Sequence, residues 1–140
     1  MDGGVLAFIA AILIIAVLMV VAMALTKKRT HKFDVEEYQT RFLKIENHLN
    51  KEAPATWSLT IINCDKLLDR ALTEMGVPGK TMGDRLKRCG DKFTDLNAVW
   101  RAHKLRNMIA HEDDPEISYR QAANALAIYK QALKDLGAIS

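Results

Sequence analysis

Glycine and proline are scarce in this 140-residue chain, seven and three in number, and neither occurs anywhere between Val5 and Ala53. Nothing in that stretch therefore breaks a helix. Only two cysteines are present, Cys64 and Cys89, with no Cys-x-x-Cys pair and no paired histidines at ligand spacing. That excludes the common zinc frameworks and argues against a structural disulfide, so both are expected as buried thiols on apolar helix faces. No segment alternates apolar and polar residues with period two, and β-branched runs are missing outside the N-terminal apolar stretch, which points to an all-α chain. Phosphate-binding glycine loops, the His-Glu-x-x-His pair, calcium loops and a Ser-His-Asp set are all missing, so no cofactor and no metal site is expected. The chain is also too short for a dinucleotide-binding or barrel enzyme.

Charge is absent from Val5 to Leu25, VLAFIAAILIIAVLMVVAMAL. As a helix, these 21 residues extend about 31 Å, matching a hydrocarbon core of roughly 30 Å. Ala22-Met23-Ala24 resembles a signal-peptidase site. However, the residues before the apolar run carry only Asp2 and no basic residue, and the run is longer than a signal peptide needs. A retained transmembrane anchor over residues 1–26 is the expectation. Lys27, Lys28, Arg29 and Lys32 follow it directly. By the positive-inside rule they put the globular part in the cytoplasm and the short N-terminus outside, in a single-pass cell-membrane protein. The same cluster accounts for the positive charge, because from Phe33 onward 16 basic residues face 16 acidic ones. The rest of the chain is therefore not a basic nucleic-acid coat.

Residues 27–53 read as a basic juxtamembrane segment and a first amphipathic helix, with Val35, Tyr38, Phe42, Ile45 and Leu49 in one stripe and Asp34 and Glu37 placed as a capping box. A continuous rod with the anchor and a separate helix fit this stretch equally. Residues 54–140 read as a helical domain. One helix runs from about Thr56 to Met75 and stops at Gly76; a short one covers about Thr81 to Cys89. A long one spans about Thr94 to Ala110, and a last one opens after Asp113-Asp114 with Pro115 at its first position and runs to Leu136. The fold class is all-α: one transmembrane helix followed by a bundle of four or five helices.

One constellation bears chemistry. Arg106-Asn107-Met108-Ile109-Ala110-His111 joins a permanent cation whose fork fits phosphate oxygens to an imidazole able to move a proton. Beside it stand plainer readings: Arg106 as an interhelix salt-bridge partner, His111 as a charge complementing a helix C-terminus, His103 as a satisfied core histidine, and Trp57 and Trp100 as core anchors.

The segment Arg106 to His111, with Asp65-Lys66-Leu67-Leu68-Asp69 upstream and a glycine turn leading into Arg85-Leu86, resembles the HEPN superfamily. These are small all-α domains marked by R-x4-6-H, often with a polar residue after the Arg. The resemblance covers about residues 55 to 136 in helix order and length, and its specific part is six residues. It implies a metal-independent endoribonuclease acting as a homodimer, with two copies of the motif in one composite cleft. Arg106 would hold the scissile phosphate, His111 would transfer the proton, and Asn107 would orient one or the other. The partners it implies are RNA, the membrane and a second copy of the chain. The competing expectations are a catalytically silent dimerisation or adaptor module that binds a protein partner, and a small single-pass helical scaffold.

Overall fold

A computed structural model describes residues 2–26 and 31–140, without the side chains of residues 25 and 26. The described residues contain six α-helices, one 3-10 turn and no strand: α1 (Gly3–Thr26), α2 (Val35–His48), α3 (Ala55–Glu74), α4 (Met82–Arg88), the turn Gly90–Lys92, α5 (Leu96–His111) and α6 (Tyr119–Leu136). The chain divides into two compact units, residues 1–30 and 31–140. Lys27, Lys28 and Arg29 of the basic cluster lie outside the described residues.

The first unit is a single helix. Its apolar stretch Gly3–Ala24 is long and apolar enough to cross a membrane. Its side chains from Val5 to Ala24 are exposed on every face, as a helix hydrophobic all round requires when its solvent is lipid.

The second unit is a five-helix bundle. Helix α2 is separate from α1, since residues 31–34 are not helical. Asp34 caps it by accepting from the Glu37 backbone N–H at 3.0 Å. The reciprocal half of the expected capping box does not form. The Glu37 carboxylate instead accepts from Arg41 at 2.8 Å and from Arg70 on α3 at 3.0 Å, and these guanidiniums, Arg41 first, hold it below the usual carboxylate range. Two ion pairs outcompete a single return bond to the cap. Tyr38 and Phe42 from the predicted stripe are fully buried, and Tyr38 donates its hydroxyl to Glu74 at 2.7 Å. Val35 at the end of the stripe is 40% exposed.

Helix α3 is the axis of the bundle and touches α2, α4, α5 and α6. Ile61, Cys64, Leu68, Ala71 and Leu72 on it are fully buried. Placing a helix among four others needs an apolar surface wider than one stripe, and Thr60, Asp65 and Leu67 extend it. Gly76, at φ +75°, ends α3 in the left-handed region, and the Val77 N–H reaches back to the Leu72 carbonyl at 3.1 Å, the closing bond of a Schellman cap.

Helix α6 begins at Tyr119, four residues later than Pro115 led us to expect. Ser118 and Gln121 decide this: the Ser118 hydroxyl accepts from the Gln121 N–H at 3.2 Å, and the Gln121 side chain accepts from the Ser118 N–H at 2.9 Å. A full capping box satisfies two orphan donors at once, which Pro115 at a first helical position does not. Residues 112–118 are consequently a non-helical connection.

Candidate functional site

A cleft of about 630 Å³ opens between α3, α4 and α5. Arg106, Asn107 and His111 all line it, as do Asp65, Asp69, Lys66, Lys87, Trp100, His103 and Lys104. The three motif residues thus share one opening. The helix does not end between Arg106 and His111; His111 is its last residue. A groove of about 720 Å³ lies between α2 and α3. Its guanidiniums, Arg41 and Arg70, are both engaged by Glu37.

The floor of the cleft is built on Asp65. The residue is 3% exposed, and its carboxylate needs donors to offset the loss of water. Two come to Oδ1: His103 Nδ1 from α5 at 2.8 Å and the Tyr129 hydroxyl from α6 at 2.8 Å. Burial first, then the nearby Asp65 charge, pushes the Tyr129 phenol far above its ordinary value, so it stays a donor. Arg106 approaches the other oxygen, Nε standing 3.5 Å from Oδ2. Three helices therefore meet at one acid.

Above this floor Arg106 donates from Nη1 to Asn107 Oδ1 at 3.1 Å, and Asn107 Nδ2 lies 3.3 Å from His103 Nε2. The Arg106 side chain is 30% exposed. It makes the salt bridge that the plainer reading anticipated and still reaches the opening. The His111 side chain is exposed and makes no hydrogen bond or ion pair among the described residues. Lys66, Lys87 and Lys104 in the lining make no salt bridge among the described residues, and the lining acid Asp69 is bound by Arg85. Asp84 caps α4 through neutral donors, keeps its charge and is near enough to Lys87 to feel it. Lys66, Lys87, Lys104 and Arg106 line the opening against Asp65, Asp69 and Asp84, and Arg85 behind the lining offsets Asp69, so the balance is positive, the sign that attracts phosphate.

Trp100 lines the same opening, its ring edge-on to His103 at 5.9 Å between centroids. Opposite stands Gly83 of α4. A Cβ there would sit 3.7 Å from the Trp100 ring and 3.8 Å from His103 Nε2, so the bare glycine keeps this part of the cleft open.

Asp65, His103 and Tyr129 carry the site as much as the motif does, and reading the sequence assigned them no joint role. One signal was present. Asp65 is an acid beside Cys64 and three residues before Leu68, inside an apolar face, and such a residue requires partners from whatever packs on it. Cys64 and Cys89 are free and buried, and desolvation, with Asp65 next, raises the Cys64 thiol to about 12. Among the described residues no three His, Cys, Asp or Glu side chains gather as a metal-binding group. Comparison with protein-family models, curated proteins and solved structures finds no match to this chain.

Proposed function

We propose that the chain is a single-pass membrane protein whose cytoplasmic, HEPN-like bundle cleaves RNA without a metal, as a homodimer. The observation that carries this reading is the convergence of Arg106, Asn107 and His111 on one cleft rimmed by unpaired lysines. In the reaction the ribose 2′-hydroxyl loses its proton, its oxygen attacks the neighbouring phosphorus, the P–O5′ bond breaks and the departing oxygen takes up a proton. His111 is the exposed imidazole available for a proton transfer. Arg106 offers a planar fork to the phosphate as its charge grows. Asn107 holds one arm of that fork. The second copy supplies a second set of these groups, and a shared membrane plane raises the effective concentration that favours pairing.

The test is RNA cleavage by the dimer with excess chelator present. The expected products end in 2′,3′-cyclic phosphate, and 2′-deoxy substrates are inert. His111→Ala lowers the rate by about 10²–10⁴-fold. Arg106→Ala is comparably damaging, and the double variant is little worse than either, because groups acting as a unit are not additive. A folded wild-type protein no more active than His111→Ala, on purified RNA and on total cellular RNA during expression, overturns the reading. The second reading is a silent dimerisation or adaptor module at the membrane. It is favoured by the engagement of Arg106 with Asp65 and Asn107, and it takes over on that result.

A further inference from the structure

The contacts at the cleft floor close into a ring: Arg106 to Asn107, Asn107 to His103, His103 to Asp65, and Asp65 back to Arg106. The direction of every link follows from one fact. A guanidinium has donors only. The Asn107 amide must therefore turn its oxygen to Arg106 Nη1, which leaves its NH₂ facing His103 Nε2. Nε2 then accepts, the imidazole proton sits on Nδ1, and Nδ1–H donates to Asp65 Oδ1. The Tyr129 hydroxyl donates to the same oxygen, so that among the described residues only Arg106 approaches Oδ2. The ring is widest there, at 3.5 Å, and Arg106 Nε is buried without a hydrogen-bond partner. Nη2 also makes no bond among the described residues, so one arm of the fork is committed and the other is not.

From this geometry we infer that Asp65 and His103 are positioning residues that set the Arg106 fork through Asn107, with His103 working as its Nδ1–H tautomer and not as a proton-transfer group. The alternative is a ring that only satisfies a buried acid. That alternative makes bundle stability depend on His103 but leaves the behaviour of Arg106 indifferent to which polar group replaces the imidazole. The relay makes Arg106 depend on a group that donates toward Asp65 and accepts from Asn107 at the same time. A glutamine amide does both and titrates at neither end. A leucine fills the space and does neither.

The affinity readout rests on the RNA reading; the spectroscopic readout does not. In the full-length chain in detergent micelles, nitrogen NMR of the His103 ring should show the proton on Nδ1, and the Arg106 Nε–H should give a resolved signal. That signal should persist in His103→Gln and collapse to the free-arginine position in His103→Leu. Affinity for a 2′-O-methyl oligoribonucleotide, which binds but cannot be cleaved, should stay within about twofold of wild type in His103→Gln. It should weaken about tenfold or more in His103→Leu, the scale of one lost charge-assisted bond, with Arg106→Ala combined with His103→Leu no worse than Arg106→Ala alone. An Nε2–H tautomer, or a folded His103→Leu with an unchanged Arg106 signal, overturns the relay. Should His103→Leu fail to fold, Asn107→Ala takes its place with the same expected loss. A wild-type protein that binds no oligonucleotide overturns the RNA reading, and the two NMR signals then decide the relay by themselves.

Discussion

Arg85 on α4 grips Asp69 on α3 with two nitrogens, Nε to Oδ1 at 2.8 Å and Nη2 to Oδ2 at 3.2 Å. A third nitrogen donates to the Gly79 carbonyl. Helix α4 has seven residues, too few for much intrinsic stability, yet with its N-cap Thr81 it forms one wall of the cleft through Met82, Gly83 and Lys87. The pair links that wall to the central helix, alongside the buried Met82 and Leu86. Arg85→Ala should therefore lower stability by about 1.5–3 kcal/mol, the range for hydrogen bonds to charged groups. Arg85→Lys should recover only part of it, since an ammonium cannot make the two-pronged contact. Urea unfolding of residues 31–140 measures this, with amide exchange at Leu86 and Lys87 reporting on α4 itself. Unchanged stability and exchange in Arg85→Ala would show that burial of Met82 and Leu86 suffices to hold the wall.

Acid should loosen the contact between α6 and the segment that leads into α5. Asp135 accepts from the Thr94 backbone N–H at 2.7 Å, the Thr94 hydroxyl at 2.8 Å and Gln131 at 2.9 Å. Burial alone would raise its carboxyl, but these three bonds prevail and hold it below its ordinary value of 3.8. A carboxyl depressed in the folded state stabilises fully above its unfolded value, and the contribution is lost as pH falls through the folded value. The stability difference between wild type and Asp135→Asn should be constant near neutrality and shrink below about pH 4. A difference that stays constant through the acid limb contradicts the assignment.

Both thiols should resist modification. Cys64 is fully buried and its thiol is pushed up to about 12; Cys89, 1% exposed, is also raised by desolvation. Thiolate is the reacting form, so a disulfide reagent should label neither residue at neutral pH and both after unfolding in urea. Rapid labelling of the folded protein at either position would mean that the packing around it opens readily.

The orientation of the anchor is open to a direct measurement. Lys27, Lys28, Arg29 and Lys32 flank α1 on its C-terminal side, and by the positive-inside rule the bundle is expected inside. Protease added to intact cells should leave the bundle whole and digest it once the membrane is permeabilised. Digestion from outside removes the orientation, and with it any intracellular RNA role.

Much of the fold was legible because its causes are local. The apolar run of α1, the stripe through Tyr38 and Phe42, and Gly76 after α3 each announce an element through spacing along the chain. The start of α6 was misplaced because two local signals compete there. Pro115 after two aspartates looks like a helix opening, and only the formed Ser118–Gln121 box shows which signal prevails. Glu37 tells the same story at α2. Its place in a capping box is written in the sequence, but Arg70 comes from another helix, and no spacing within α2 announces it.

The cleft divides along the same line. Arg106, Asn107 and His111 lie within six consecutive positions, and their chemistry was readable as such. His103 and Tyr129 lie 38 and 64 residues along the chain from the Asp65 they both bind. Taken singly the three read as an acid in an apolar face, a core histidine and a core tyrosine. The sequence by itself determined that this is an all-helical chain with an apolar N-terminal helix and an Arg/His motif near the end of its fifth helix. Only the tertiary structure decided that a buried carboxylate on α3 sits beneath that motif. A buried charge has to be met by whatever donors packing delivers, and which residues those are is settled where helices meet and not within any one of them.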